Sequence, residues 1–264
     1  MNNLFFLSGI ARSGSTLLGS ILNQNPDIYV SPTSPLMDLF CLTEMDCVKL
    51  DSQYTYDKTT VINNLHQSLA PTFYQHIDAP YIIDKHRGWP KNVSQIKQFI
   101  TDNPKIVCTY RPIAENICSF LKLIENDPNN SVDVDLRNVG LPPTTYNRAM
   151  MLWHNYSKDP YTSFKFGLEH FREHLLVVHY NDIVNNTDQQ IDRIYNFLDI
   201  PKFVHTYNNI TNTCKEVKDI QWGFKDLHVI RSTITKTSND PRQVLGRDLF
   251  EFFENLDRDL MLID

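Results

Sequence analysis

The stretch Gly9-Ile10-Ala11-Arg12-Ser13-Gly14-Ser15-Thr16 decides how the rest of the sequence is interpreted. An apolar run over 4–7 precedes it and a helical apolar stripe over 15–23 follows it, so the pattern predicts a strand, a glycine-containing loop and a helix. Such a unit turns several backbone N–H groups and the positive end of a helix towards one point. The stretch therefore predicts a site for an anion such as phosphate.

The loop departs from the pattern of nucleotide triphosphatases at one position. In G-x-x-x-x-G-K-[ST] a lysine stands where this chain has Ser15. Arg12 supplies a cation within the loop instead, because a guanidinium stays charged and bonds oxyanions in a planar fork. The alternative is a tight strand-to-helix turn whose glycines serve backbone geometry alone.

Strand and helix patterns alternate along the rest of the chain. Further strands are predicted at 81–83, 105–110 and 175–180, and helices from 36 and over 59–76, 93–101, 112–125, 144–157, 162–173, 187–198 and 246–260. Residues 126–143 are interpreted as an exposed excursion and 201–243 as mainly loop. The alternation predicts an α/β fold with a parallel β-sheet flanked by helices, and no linker rich in Gly or Ser divides the single domain predicted over 1–264.

The charge balance narrows the class of partner. The 264 residues carry 25 Lys and Arg against 31 Asp and Glu, a net charge of −6, with 41% apolar residues. A general binder of nucleic acid or of anionic membranes would carry a basic surplus, so neither partner is expected. Any anion site must then be basic locally.

Targeting segments and metal motifs are not evident in the sequence. No leader pattern and no run of about 18 apolar residues is found, which predicts a cytoplasmic protein without a membrane span. The five cysteines lack a C-x-x-C or Cys/His spacing and are expected to be reduced thiols, with no metal bound. They are Cys41, Cys47, Cys108, Cys118 and Cys214. The oligomeric state is left open.

A second pattern that indicates an anion site follows the strand predicted at 105–110. Arg111 ends that strand, Pro112 marks the start of a helix, and Ser119 lies eight residues beyond Arg111, about two turns into the helix. Both side chains can then reach one phosphate-sized anion at the carboxyl edge of the sheet. Alone the signal is weak, since an arginine at a strand end is more often a surface ion pair.

Together these motifs resemble those of the sulfotransferase superfamily, whose donor is 3′-phosphoadenosine 5′-phosphosulfate (PAPS). The stretch A-R-S-G-S-T is similar to that family's 5′-phosphosulfate loop, and Arg111 and Ser119 match its Arg and Ser that hold the donor's 3′-phosphate. Tyr180-Asn181-Asp182-Ile183 resembles its Tyr-x-Asp-Leu segment. The likeness spans most of 4–200 and is closer to bacterial and tyrosylprotein-type enzymes than to the cytosolic phenol and steroid enzymes.

The resemblance implies a sulfotransferase-like fold, a phosphate-loop sheet with helical cap segments. It also implies PAPS as co-substrate without a metal, and a hydroxyl or amine acceptor on a small molecule, peptide or glycan. A looser likeness of 231–238 to the loop that closes over the 3′-phosphate adds two residues, although a polar surface loop explains that segment equally well. The donor contacts implied are Arg12, Ser13, Gly14, Ser15, Thr16, Arg111, Ser119, Tyr180, Ser232 and Lys236.

Catalysis by such an enzyme needs cations near the oxygen that leaves with the 5′-phosphate. Arg12 is one, and Lys85 resembles the lysine that follows the family's third core strand. For the general base, the glutamate of the tyrosylprotein enzymes has no counterpart in 27–34. His86 stands one residue after Lys85, where the phenol and steroid enzymes have their histidine two residues after it, and is the candidate base. Asp38 and His154 are weaker candidates.

Two other functions remain open from the sequence. Asp84, at the end of a predicted strand, has the position of a magnesium-binding aspartate, which would suit a kinase that phosphorylates a small metabolite with Mg-ATP. The third hypothesis is a catalytically silent nucleotide-binding protein with the same fold. The acceptor is not specified, because the segments expected to shape its pocket, 31–60 and 126–160, carry no diagnostic pattern.

Overall fold

The molecule is organised around a parallel β-sheet. A computed structural model describes residues 3–47, 57–125, 127–212, 219, 223–234 and 240–261. Its strands are β1 (Asn3–Gly9), β2 (Ile28–Val30), β3 (Tyr81–Lys85), β4 (Ile106–Tyr110) and β5 (Leu175–His179). They are arranged in the order β2-β3-β1-β4-β5, and every neighbouring pair is parallel. The predicted α/β class is confirmed.

Helices surround this sheet. They are α1 (Ser15–Leu22), α2 (Leu36–Cys47), α3 (Lys58–Phe73), α4 (Val93–Phe99), α5 (Ile113–Ile124), α6 (Ser131–Asn138), α7 (Thr145–Leu152), α8 (Lys158–His170), α9 (Tyr180–Asn185), α10 (Thr187–Leu198), α11 (Pro241–Leu245) and α12 (Arg247–Met261). Short 3-10 turns occur at Trp89–Asn92 and Arg172–His174, and a π-helical turn, Trp153–Ser157, joins α7 to α8. None of the helices in the described part of the chain combines the length and apolar character needed to cross a membrane.

Both faces of the sheet are buried. Successive side chains of a strand point to opposite faces, so Phe6 and Leu7, both fully buried, belong to different cores. The Phe6 core includes Phe164 of α8 and Phe253 of α12, whereas the Leu7 core includes Ile194 of α10. The near-continuous apolar character of the strands follows from this two-sided burial.

The strand order creates a crevice beside β1. This strand lies between β3 and β4, with Leu7 opposite Lys85 and Gly9 opposite Thr109. Helix α1, which follows β1, packs in the Leu7 core, while α5, which follows β4, packs in the Phe6 core. In such sheets the crevice outside the carboxyl ends of two strands whose helices lie on opposite faces is where ligands bind.

The structure differs from the sequence prediction in several connections. Strand β2 was not predicted, because three residues at a sheet edge carry too little periodicity. The excursion predicted over 126–143 contains α6, which buries Val132 and Leu136 and is capped by the Asn130 side chain accepting from the Asp133 N–H. Helix α9, which begins at Tyr180 and contains the 180–183 motif, was also missed.

Three of the five cysteine side chains lie in the described part of the chain. Cys108 and Cys118 are buried as thiols, and Cys41 is an exposed thiol. Burial raises the pKa of both buried thiols, that of Cys118 to about 12, so they behave as apolar core groups. The side chain of Cys47 and the whole of Cys214 lie outside the described residues.

Candidate functional site

The glycine loop after β1 requires glycine at both ends. Gly9 has φ 147°, and a Cβ there would lie 2.3 Å from the Thr109 Oγ1 and 2.4 Å from the Thr109 carbonyl oxygen. Gly14 has φ 93°, and its Cβ would lie 2.9 Å from the Tyr180 ring. Between them Arg12 adopts the left-handed conformation with φ 63°. The loop is therefore a tight turn packed against β4 and α9.

Polar side chains fix this turn from inside the protein. The Ser13 hydroxyl lies 2.5 Å from the Ile10 carbonyl oxygen and 2.6 Å from Thr109 Oγ1, and it is fully buried. The Asn116 amide donates to the Ala11 carbonyl oxygen and accepts from the Ser157 hydroxyl at 2.9 Å. Ser13 thus holds the loop together, and its side chain does not line the cavity that the loop borders.

That cavity, of about 900 Å³, opens at the carboxyl edge of the sheet. Nine of the residues predicted from the sequence line it, contributed by β1, β3, β4, β5 and the segments that follow them. They are Arg12, Gly14, Ser15, Thr16, Lys85, His86, Arg111, Ser119 and Tyr180.

The remaining predicted residues are placed differently. Ser232 is exposed and its two neighbours, rather than Ser232 itself, line the cavity. Lys236 lies outside the described residues. His154 is exposed and is not among the lining residues, whereas Asp38 is. The structure therefore separates the two weaker candidates for the base.

The cavity is strongly basic. Among its described lining residues are Arg12, Lys85, Arg87, Arg111 and Arg231, against one carboxylate, Asp38. Burial, and secondly the charge of Arg111, lower the pKa of Arg12 from its ordinary value. A guanidinium remains protonated in proteins, so this repulsion is relieved by binding an anion rather than by losing a proton. The described lining therefore concentrates positive charge in a chain whose net charge is negative.

Arg111 and Ser119 line the cavity together with the glycine loop. The Arg111 guanidinium lies 4.4 Å from the centre of the Tyr180 ring, and its Nε lies 3.3 Å from Glu115 Oε2. The Arg12 Nε donates to the Ser119 hydroxyl oxygen at 3.3 Å. The two anion signals of the sequence, 107 residues apart, thus belong to a single site.

Lys85 reaches the loop from the neighbouring strand. Its Nζ donates to the Thr16 hydroxyl oxygen at 3.2 Å. The end of β3 is held by the Ser31 hydroxyl, which accepts from the Lys85 N–H at 2.8 Å, and by the Ser34 N–H, which donates to the Lys85 carbonyl oxygen at 3.0 Å. The ammonium group is therefore aimed at the first turn of α1.

The ring of His86 is engaged at both nitrogens. The Gly88 N–H donates to Nδ1 at 3.0 Å, so this nitrogen carries a lone pair and the neutral ring has its proton at Nε2. Nε2 lies 3.3 Å from Asp38 Oδ1. Burial lowers the pKa of His86, although Asp38 raises it in part. In this tautomer Nε2, which faces Asp38, has a proton to give, and the lone pair at Nδ1 is already used by the Gly88 N–H.

Asp84 is turned into the core. It is fully buried, with Oδ1 accepting from the Trp89 indole N–H at 2.7 Å and Oδ2 from the Tyr74 hydroxyl at 2.5 Å. Burial raises the pKa of this carboxyl group. Both oxygens are thus used within the protein and Asp84 does not line the cavity.

A pair of residues that was not predicted from the sequence, Asp219 and His228, lies beside the cavity. Asp219 Oδ1 lies 2.5 Å from His228 Nδ1, and Asp219 Oδ2 accepts from the His228 N–H at 2.9 Å. His228 lines the cavity, and the preceding Leu227 accepts a hydrogen bond from the Arg12 guanidinium through its carbonyl oxygen. The pair lies in the stretch interpreted as loop, where two polar residues nine apart give no periodic signal.

Comparison with solved structures shows the fold. The sulfotransferase domain from the curacin biosynthetic pathway covers 98% of this chain and 97% of its own, at 17% identity and a TM-score of 0.61. A sulfotransferase from Alicyclobacillus acidocaldarius aligns over 100% of this chain and 96% of its own, at 15% identity and a TM-score of 0.52. The sulfotransferase domain of the Synechococcus PCC 7002 olefin synthase aligns over 100% of this chain and 93% of its own, also at 15% identity and a TM-score of 0.52.

Comparison at the level of sequence gives the family. No curated protein sequence matches the chain significantly. The family model described as "Sulfotransferase family" matches residues 5–204, a range that contains the glycine loop, Lys85, Arg111, Ser119 and Tyr180. With a match over most of the sequence and a fold that agrees with it, this chain belongs to the sulfotransferase family.

Proposed function

We propose that this protein transfers a sulfuryl group from PAPS to a hydroxyl or amine acceptor. One observation carries the proposal: basic side chains from the glycine loop, from the ends of β3 and β4 and from Arg231 line one cavity of about 900 Å³. A donor with a phosphate at each end of its ribose and a sulfuryl group carries several negative charges. Such a ligand matches the charge and the extent of the cavity.

The donor would be held at two points. The backbone N–H groups of the loop and the start of α1, with Thr16, would take the 5′-phosphate. Arg111 and Ser119 would take the 3′-phosphate, with Tyr180 supporting the guanidinium face. Ser232 and Lys236 stay as predictions for the same end of the donor.

The arrangement disfavours the kinase alternative. A magnesium-dependent phosphotransferase would use the Thr16 hydroxyl and an aspartate such as Asp84 as metal ligands. Here the Lys85 ammonium donates to that hydroxyl, and both oxygens of Asp84 accept hydrogen bonds in the core. A cation supplied by the chain thus stands where the metal of a kinase would be required.

The chemical step follows from this charge distribution. The acceptor atom attacks sulfur in line, and the bond between sulfur and the bridging oxygen breaks. Negative charge then grows on the oxygen that leaves with the 5′-phosphate, where Arg12 and Lys85 would stabilise it. Catalysis rests on positioning and on these cations, as in phosphoryl transfer.

Other features remain proposals. A small molecule, a peptide or a glycan would each satisfy a cavity whose lining also includes Thr33, Pro35 and the exposed Asp38. A single domain over 1–264, a cytoplasmic location and a bacterial or tyrosylprotein-type relationship are likewise predictions from the sequence. A catalytically silent nucleotide-binding protein would bind the same nucleotide and would differ from the proposed enzyme only in transferring no sulfuryl group.

Transfer can be tested directly with PAPS radiolabelled in its sulfuryl group. The protein is incubated with a chelator and a panel of phenols, alcohols, amines and tyrosine peptides, and labelled products are separated chromatographically. The proposal predicts label in at least one acceptor with an equal amount of 3′-phosphoadenosine 5′-phosphate (PAP) released. Binding of PAP without any transfer would support the silent alternative, and phosphate transfer from Mg-ATP would support the kinase.

A further inference from the structure

Two histidines that line the cavity, His86 and His228, have opposite hydrogen-bond arrangements. His86 accepts a backbone N–H at Nδ1, which places its proton at Nε2. His228 instead has Nδ1 at 2.5 Å from a carboxylate oxygen of Asp219. Because a carboxylate only accepts, His228 must donate from Nδ1, and the neutral ring then has its lone pair at Nε2. The two rings are therefore prepared for different roles.

We propose that His228, oriented by Asp219, is the general base that removes the proton of the acceptor during sulfuryl transfer. The inference rests on the proposed function, since it assigns a role in that reaction. An imidazole that donates from one nitrogen to a carboxylate and uses the other to accept a proton is the arrangement of base and orienting group found in catalytic triads.

Position supports the assignment. His228 lines the cavity beside the Arg12 contact, because the Leu227 carbonyl oxygen accepts from the Arg12 guanidinium. Asp219 is anchored twice, since its second oxygen accepts from the backbone N–H of His228 at 2.9 Å. The carboxylate thus fixes both the backbone and the ring of the histidine.

Electrostatics keeps this histidine neutral near pH 7. Burial is the largest effect and lowers the pKa of His228, and the nearby cations Lys85 and Arg87 lower it further. Asp219 acts in the opposite direction, through its hydrogen bond and its charge. Arg231, on the same loop, also lines this cavity. A neutral ring at neutral pH is the form that accepts a proton.

Atoms and charges balance in this step. The acceptor O–H or N–H gives its proton to His228 Nε2 while its heavy atom forms a bond to sulfur. The bond from sulfur to the bridging oxygen breaks, and its electron pair leaves with PAP. The imidazolium is stabilised by Asp219 and afterwards releases its proton to water. His86, with its proton directed at Asp38, then serves to hold that carboxylate at the cavity wall.

Nuclear magnetic resonance tests the assignment without turnover. Protein labelled in histidine is titrated with PAP bound, and His228→Gln identifies the resonance. We expect the Nδ1–H tautomer at about pH 7 and its conversion to the Nε2–H tautomer in Asp219→Asn. A protonated His228 ring at this pH, or an Nε2–H tautomer in the parent, would overturn the proposal.

Turnover provides the second readout. With enzyme in excess over radiolabelled PAPS and phenol or water as acceptor, His228→Gln should slow transfer about 10²–10⁴-fold and abolish the acidic limb of the pH profile. PAP affinity should stay close to that of the parent. His86→Gln should cost less, and His76→Gln, at an exposed histidine outside the cavity, should cost nothing.

The outcomes separate the two proposals. If His228→Gln keeps near-parent rates with the acidic limb intact, or if His86→Gln alone removes that limb, His228 is not the base. If the parent fails to bind PAP, the proposed function is wrong instead, and the tautomer of His228 is then read in the ligand-free protein.

Discussion

The Lys85 ammonium donates a hydrogen bond to the Thr16 hydroxyl oxygen at 3.2 Å, joining the end of β3 to the first turn of α1. The two residues are 69 positions apart, and the sheet brings them together because β3 pairs with β1. A lysine held there has its charge at the first turn of α1, beside the glycine loop, before any ligand arrives. Such preorganised charge stabilises a transition state without a reorganisation cost.

Lys85→Met should therefore lower kcat about 10²–10³-fold, the range found when one preorganised donor is removed from a transition state. Donor affinity should change little if the cation acts mainly on developing charge. Single-turnover transfer and calorimetry with PAP measure the two quantities. Lys97→Met, at an exposed lysine of α4, is the control. Equal losses in affinity and rate would instead make Lys85 a ground-state binding residue.

Arg111→Ala should separate donors by their 3′-phosphate. Arg111 is largely buried, at 7% exposure, and loss of its guanidinium should cost about 2–5 kcal/mol of binding free energy for PAP. Adenosine 5′-phosphosulfate, which lacks the 3′-phosphate, should bind the variant and the parent alike. Arg137→Ala, at an exposed arginine, controls for general charge. Equal losses for both nucleotides would place Arg111 elsewhere in the site.

Gly14→Ala should abolish donor binding through the loop. An alanine at this position must keep φ 93°, and its Cβ would lie 2.9 Å from the Tyr180 ring. Gly140 offers a matched control, since it has φ 73° and no atom lies within 4 Å of the point where its Cβ would be. Each change should lose about 1–2 kcal/mol of stability, because an L-residue is forced into the left-handed region, but only Gly14→Ala should lose PAP affinity. Unchanged binding would show that the turn tolerates displacement.

Asp257, which is not among the residues that line the cavity, should make the stability of the fold depend on pH. Its carboxyl group accepts from the Ile113 N–H at the start of α5 and from the Tyr110 hydroxyl, and burial raises its pKa to about 6. Because the folded state favours the protonated form, this group's contribution to stability is full below the unfolded pKa of about 3.9 and is lost as the pH rises through about 6.

Urea unfolding of the parent and of Asp257→Asn across this range measures the effect. The free energy of unfolding of the parent, relative to that of the variant, should fall by about 2 to 3 kcal/mol between about pH 4 and pH 7. The pH-dependent part of the difference is the readout, since the amide also changes the hydrogen bonds. A difference that rises with pH would mean that the hydrogen bonds outweigh burial and lower the pKa.

The sequence predicted the parts of the site that depend on local pattern. The glycine loop, Lys85 and Arg111 each follow an apolar strand, and parallel strands bring their carboxyl ends to one edge. The anion site could be anticipated on that basis. Nine residues predicted for the site do line the cavity.

The rest depends on contacts between residues far apart in the chain. Asn116 reaches the Ala11 carbonyl oxygen across 105 positions, and Asp257 reaches Tyr110 across 147. Neither side chain differs in sequence from an ordinary polar residue on a helix. The inward orientation of Asp84 and the pairing of Asp219 with His228 likewise follow from tertiary packing, which periodicity does not encode.

Calorimetric titration with PAP in the presence of a chelator, beside a titration with Mg-ATP, tests most directly the central claim that the cavity is a metal-independent site for the sulfuryl donor. We predict that PAP binds without metal and raises the melting temperature by mass action, and that Mg-ATP binds weakly. Tight binding of Mg-ATP with no response to PAP would contradict the proposal.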